Sequence, residues 1–329
     1  MGRGQTPLFM HELLEKLAPG STVLDLGCGN GSFCYAHFPA LKIYALDQTK
    51  PAKLDEFPPK VEFRQGTAEV LPYADETFDL TIGNFVFEHF DFPAALLEVE
   101  RVLKVGGLLY MSVPNSRSFE DNLYRAMFAG GGHWQRHTFE SIMHQVYRHT
   151  GLKLVSYADW PAGFTFWEEN EALRSFVFSV VESVKRSSGL DLRARSNYIF
   201  LFRREESLGY RQVARVCTYC GAGDGIDQPA EADDAPWRCR SCGRENRGGA
   251  LTLGEREQIE QDMRALWKRY PHVQPLGYDR HVTFEKIKPL SPQELDELRR
   301  LSWLSHRLRN SRIGLLVWRM VKRWIAYSV

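Results

Sequence analysis

The sequence has no run of about 18 uninterrupted apolar residues, so no membrane-spanning helix is expected. Its first residues lack a basic stretch followed by an apolar one, so no secretory signal is expected either. Cysteine is scarce, with 6 in 329 residues. That is too few for a disulfide scaffold, and four of them fall in two close pairs, a pattern that fits metal binding in a reducing compartment. The cytoplasm is the expected location. An excess of one charge is also missing: 42 Lys and Arg face 41 Asp and Glu, so overall charge selects no partner. What is present, 43% hydrophobic and 25% charged residues, is the composition of a globular chain long enough for one large core and a smaller module.

Apolar periodicity orders the first two-thirds. Helical spacing over Thr6 to Leu17 precedes a short strand, Ser21 to Leu26, which runs into Gly27-Cys28-Gly29-Asn30-Gly31. A helix is expected from Ser32, then strands at Lys42 to Leu46, Val61 to Gln65 and Phe78 to Gly83. Pro93 to Leu103 reads as an amphipathic helix closed by Gly106-Gly107, before a strand over Leu108 to Val113. Thr138 can cap a helix to about Thr150, and strands are expected at Leu152 to Tyr157 and Asn197 to Arg203. Such alternation predicts an α/β domain with a mainly parallel, doubly wound Rossmann-like sheet over residues 1–206.

The glycine loop carries the chemistry. Glycines let the backbone turn tightly and let a ligand approach main-chain N–H groups. Asp47 ends the next strand, 20 residues after Gly27, where a carboxylate can accept both hydroxyl hydrogens of a ribose. NAD and S-adenosylmethionine both carry that ribose. A dinucleotide site wants a third glycine where this chain has Ser32, and Asp25 beside the loop would repel a pyrophosphate but not the ammonium of a methionine moiety. The expected cofactor is S-adenosylmethionine.

With the loop stand Asp47, Ala68-Glu69, Leu71-Pro72-Tyr73, Phe78-Asp79-Leu80, Glu88-His89 and Arg101-Val102-Leu103-Lys104 before Gly106-Gly107. In this order and spacing, over roughly residues 20–115, the chain resembles the class I methyltransferase superfamily, especially its ubiquinone- and menaquinone-biosynthesis-like group. The resemblance implies that Gly27 and Gly29 line the methionine and ribose, that Asp47 holds the ribose, and that Gln48 flanks adenine. Ala68 would present its backbone to the adenine edge, with Asp25, Thr67, Glu69 and Asn84 completing the cofactor-lining set. Thr67 is a departure, since the family commonly has an Asp there.

An acceptor should lie beyond the carboxyl ends of the strands, walled by Asn84-Phe85 and the segment from Asn115 to His137. Asn84-Phe85-Val86-Phe87 is not the Pro-Pro tetrapeptide of base-amino methyltransferases, which counts against exocyclic-amine methylation of nucleic acid. Gly132-His133-Trp134-Gln135-Arg136-His137-Thr138 resembles a His-containing segment of methyltransferases that act on sugars, lipids and other small molecules. His133 is the first candidate base for deprotonating an acceptor hydroxyl and His137 the second. The segment 158–196, with Trp160, Phe164, Phe166 and Trp167, reads as an inserted lid or an extra packing helix.

Cys217-x2-Cys220 and Cys239-x2-Cys242, with 18 residues between the pairs, predict two knuckles joined by a structural Zn²⁺ in a ribbon over 211–248. All four positions are thiolates, so the site is closed. The remainder, 250–329, reads as helical and basic, with eight Arg or Lys and no acid from Leu298 onward. There an apolar face of Ile313, Leu316, Val317, Met320 and Trp324 opposite a basic one, together with Trp303 and Trp318, suits either peripheral membrane contact through 298–329 or docking on the enzyme. The chain as a whole is expected to methylate a hydroxyl on a small-molecule, glycan or lipid-linked acceptor. The alternatives are methylation of RNA or protein with the ribbon as recognition module, or a non-catalytic adaptor. The neutral catalytic domain speaks against nucleic acid as the partner.

Overall fold

Short apolar segments separated by turns and helices assemble into one mixed sheet of seven strands. In the computed structural model these are β1 (Thr22–Leu26), β2 (Lys42–Asp47), β3 (Glu62–Gln65), β4 (Phe78–Asn84), β5 (Leu103–Pro114), β6 (Leu152–Trp160) and β7 (Asn197–Arg204). The structure describes residues 10–52, 54–118, 121, 136–160, 197–206, 215–224, 236–246, 253–255, 257 and 261. The strand order is β3-β2-β1-β4-β5-β7-β6. Neighbours from β3 to β5 are parallel, and β7 runs antiparallel to both β5 and β6. This is a Rossmann-like α/β arrangement. Its order reverses between β1 and β4, the place where open α/β sheets bind ligands.

Period-2 alternation divides the core between the two faces. Leu24, Leu26, Leu46, Leu109, Met111, Val113, Phe200 and Phe202 point to one side; Val23, Ile43, Ala45, Leu80, Ile82, Tyr110 and Leu201 point to the other. Two amphipathic helices cover the first face. Helix α2 (Phe92–Val102) is capped by Asp91, whose side chain accepts from the Ala94 amide, and it buries Phe92, Ala95, Leu96, Val99 and Val102. Helix α3 (Phe139–His149) starts in a reciprocal Thr138–Ser141 capping box and buries Ile142, Met143 and Val146. The short helix α1 (Met10–Glu15) packs Leu13 and Leu14 on the second face.

Two expectations need correction. No α-helix follows the glycine loop; that stretch holds only a single 3-10 turn, Tyr35–His37. Phe33, Cys34, Tyr35, His37 and Phe38 are mediocre helix formers cut short by Pro39. Their rings instead stack edge-on, Phe33 on Tyr35 at 4.9 Å and on Phe38 at 5.7 Å, and Tyr35 on Phe57 at 4.9 Å. Nor do Gly106-Gly107 end the helix. The chain passes from α2 directly into β5, and Gly106, at φ 82°, kinks that strand where its pairing with β4 shifts between Phe78 and Leu80. A Cβ on Gly107 would sit 2.8 Å from the Lys104 carbonyl, so glycine is demanded by the bulge.

Several of the motif residues hold the scaffold together and stand apart from the ligand end. Arg101 donates to the carbonyls of Leu71 and Tyr73 and pairs with Glu98 and Asp75, pinning the Leu71-Pro72-Tyr73 turn to α2. Lys104 pairs with Asp79 at 2.8 Å, and Asp79 also accepts from the amide and hydroxyl of Thr22. Burial works against that carboxylate, but these bonds outweigh it and hold Asp79 below the usual carboxylate range.

The paired cysteines lie on two small antiparallel ribbons, β8 (Arg215–Val216) with β9 (Gly223–Asp224) and β10 (Trp237–Arg238) with β11 (Glu245–Asn246). They belong to the same compact unit as the sheet. Of the expected insert 158–196, residues 158–160 continue β6 as far as its pairing with Asn197; 161–196 and the basic segment 298–329 lie outside the described residues. Among the described residues no helix is long and apolar enough to cross a membrane.

Candidate functional site

The site is built where β1, β2 and β4 end side by side. Gly27, Gly29 and Gly31 all have positive φ, at 64°, 49° and 102°, which L-residues rarely adopt. The loop is strapped to β2 by Cys28 N donating to the Leu46 carbonyl at 3.0 Å, and by Gly29 N donating to Asp47 Oδ2 at 2.9 Å. Asp47 Oδ1 accepts from the amide and hydroxyl of Thr49. The half-buried Asp47 carboxylate is thus fixed beside the loop with lone pairs left for further donors. The expected neighbourhood of Gly27, Gly29 and Asp47 is brought together.

Asp25 occupies a different position from that of a ligand-facing acid. It is fully buried, and both its oxygens are engaged: Oδ2 accepts from Ser32 N at 2.9 Å and Tyr35 Oη at 2.6 Å, and Oδ1 from Ser32 Oγ at 2.6 Å. Burial pushes its carboxyl up to about 6 although those bonds pull the other way. Asp25 therefore ties down the far end of the glycine loop. Tyr35 was not legible as its partner from sequence, because a helix was expected there and a phenol on a helix face carries no such signal.

The residues expected on the adenine side follow β2 and β3. The Gln48 carbonyl accepts from Gln65 Nε2 at 2.8 Å. Thr67 is exposed and bridges to Val70, Ala68 between them is fully buried, and Glu69 accepts from the Asp91 amide at the start of α2. At the end of β4, Asn84 Oδ1 accepts from Ser112 Oγ at 2.7 Å. The next residue, Phe85, holds φ at 55° while its amide donates to the Ser112 carbonyl and hydroxyl. A bulky non-glycine residue in the left-handed region, 38% exposed beside the loop, is a strained aromatic of the kind found at functional sites. Phe85→Gly should be more stable than Phe85→Ala by about 1 kcal/mol, because glycine relieves the left-handed strain that alanine keeps. Urea denaturation of the two variants checks this, and equal midpoints would show that the backbone there is unstrained.

Of the two candidate bases, His133 lies outside the described residues. His137 is 2% exposed, with its ring 4.7 Å from that of Phe92 and Nε2 3.4 Å from the Phe87 carbonyl. Its own carbonyl accepts from the Ser116 amide. Such a histidine joins the chain leaving β5 to the core, a packing position and not one open to an acceptor.

The four cysteine sulfurs lie within 4.8 Å of one another. Cys217 and Cys242 are 3.6 Å apart and Cys220 and Cys239 3.8 Å, too far for disulfides. Tetrahedral coordination at a metal–sulfur distance of about 2.3 Å needs sulfurs about 3.8 Å apart, so this set could hold a zinc ion. Each knuckle closes in the same way. Gly221 N and Gly243 N donate to the carbonyls of Cys217 and Cys239, and both glycines sit at φ 70°. Buried Asn246 cross-links the halves, accepting from the amide and hydroxyl of Thr218 and donating to Cys217 Sγ.

The site is thus a glycine loop and an acid after β2 at the carboxyl ends of a seven-stranded Rossmann-like sheet. Residues 24–111 match the family model described as a methyltransferase domain. The chain is similar to a demethylmenaquinone methyltransferase of Alkalihalophilus pseudofirmus, at 38% identity over 124 residues, covering 33% of this chain and 52% of that protein. It is also similar to the uncharacterized methyltransferase YcgJ of Bacillus subtilis, at 36% identity over 94 residues, covering 26% and 37%. The crystal structure of YcgJ aligns with a TM-score of 0.41 at 19% identity, over 59% of this chain and 97% of that one. The chain spans about half or less of the length of these curated relatives.

Proposed function

We propose that the protein transfers the methyl group of S-adenosylmethionine to a hydroxyl on a small-molecule, glycan or lipid-linked acceptor, and that its cysteine module carries one structural zinc. The observation that carries the cofactor assignment is the Asp47 carboxylate, fixed against Gly29 N at the end of β2. From there it can accept the two hydroxyls of a ribose laid over the loop. The small-molecule reading is supported by the relative named for demethylmenaquinone and by Asn84-Phe85-Val86-Phe87 in place of a Pro-Pro tetrapeptide. His133 is the base in this reading, and in-line placement of acceptor and methyl carbon supplies much of the rate. The zinc reading is supported by four sulfurs within 4.8 Å of one another, two pairs of them at 3.6 and 3.8 Å, in a module with too little core to fold without a metal.

Calorimetric titration of S-adenosylmethionine tests the cofactor assignment. Losing two hydrogen bonds to a charged acceptor should weaken binding by Asp47→Ala about a hundredfold or more. Absence of binding by the folded, zinc-loaded parent protein would favour the adaptor reading. A recognition role for the ribbon has one feature in its favour: Arg238 and Arg240 are exposed, and Arg244 stacks over Tyr219 at 5.1 Å. It predicts salt-sensitive co-purification with nucleic acid, seen as excess absorbance at 260 nm.

A further inference from the structure

Among the described residues the cysteine module packs on the methyltransferase domain through α3. Strand β8 lies against α3, and a Cβ built on Gly221 would stand 3.6 Å from the Tyr147 ring, so the first knuckle turn rests on that ring. Val216 is 1% exposed and Thr218 4%, while Cys220 and Cys242 face solvent. Two ribbons of two residues per strand cannot bury a valine to that degree by themselves. The first knuckle is backed by α3, while each knuckle keeps one cysteine buried, Cys217 and Cys239, and one exposed, Cys220 and Cys242.

A second link ties the chain after the module to the same region. Arg117, three residues beyond β5, donates through Nε to Glu255 Oε1 and through Nη1 to Glu140 Oε2, both at 2.7 Å. Glu140 is in the first turn of α3. All three side chains are one-third exposed or less, so these two-carboxylate contacts are screened less than surface pairs. The segment leaving β5 is held further by Ser116 N donating to the His137 carbonyl. Helix α3 is therefore gripped at both ends, by the core-facing Tyr147 under the first knuckle and by Arg117 at its N-terminus. In the proposed reading the chain leaving β5 and the start of α3 wall the acceptor side of the sheet, whereas among the described residues the glycine loop is held by Asp25 and Asp47.

We propose that the metal-loaded cysteine module is a built-in brace for the acceptor side of the methyltransferase domain. It fixes α3 and the chain leaving β5 through Tyr147 and Arg117, so that metal occupancy governs the acceptor wall and leaves the cofactor loop in place. The inference rests on the zinc reading, and metal content separates the two.

The test uses the full chain, assayed for zinc and then for amide hydrogen exchange before and after removal of the metal by a chelator. One zinc per chain is expected. Metal removal should speed exchange in 115–118 and 139–149 by about tenfold or more and leave 22–26 and 42–47 unchanged, with S-adenosylmethionine binding retained by calorimetry. In Tyr147→Ala, which keeps its zinc, metal removal should change exchange in α3 far less than in the parent. Zinc present but exchange in 139–149 indifferent to it would overturn the brace and leave the metal site standing. Equal sensitivity in the parent and Tyr147→Ala would overturn the brace as well, as would loss of protection throughout the sheet. Purified protein without zinc would overturn both readings.

Discussion

Gly27→Ala is expected to destabilise the domain by about 2–4 kcal/mol and to abolish measurable binding of S-adenosylmethionine. A Cβ at this position would lie 2.0 Å from Val86 Cγ2 and 2.8 Å from Val86 Cβ, and Val86 is a buried member of the core. The residue also holds φ at 64°, so alanine meets a steric and a torsional cost together. Relief requires either the loop or the turn after β4 to move. If the loop moves, the bonds from Cys28 N to Leu46 and from Gly29 N to Asp47 are the ones lost, and the carboxylate proposed to hold the ribose loses its anchor. Adding Val86→Ala removes the nearer clash and leaves the 2.8 Å approach to Cβ and the torsional cost. The double variant should therefore recover part of the stability, with a coupling of about 1 kcal/mol or more. Urea denaturation of the four proteins measures it, and strict additivity would show that the loop never pressed on Val86.

Asp25→Asn should remove a pH dependence of stability. The carboxyl is raised from 3.8 to about 6 in the folded protein, so the folded state holds this proton more tightly than the unfolded chain does. The stabilisation this provides is complete below about pH 4 and is lost as pH rises through about 6; above that, the fold carries a buried carboxylate at a cost of about 3 kcal/mol. Asparagine can keep the same arrangement, its oxygen accepting from Ser32 N and Tyr35 Oη and its amide donating to Ser32 Oγ. The stability of Asp25→Asn relative to the parent should therefore rise between pH 4.5 and pH 7.5. An identical difference at both pH values would mean that the Asp25 carboxyl titrates normally.

Sequence and structure divide this protein along a physical line. The strands, the glycine loop, Asp47 and the two cysteine knuckles were legible because each is a local pattern. Alternation over a few residues, glycines where φ must be positive, and Cys-x2-Cys-Gly turns are determined by neighbours along the chain. The loop and Asp47 meet because parallel neighbouring strands β1 and β2 end together, which follows once both are recognised as strands. Tertiary packing decided the rest. Nothing local says that Asp25 turns inward to Ser32 and Tyr35, since that depends on aromatic rings closing a space where a helix was expected. Nothing local distinguishes His137, buried on Phe92, from a histidine open to an acceptor. The contacts that place the cysteine module, Gly221 on Tyr147 and Arg117 between Glu140 and Glu255, join residues 74, 23 and 138 positions apart. Contacts of that span leave no trace in periodicity or spacing, because they are selected by the shape of surfaces that exist only after the chain has folded.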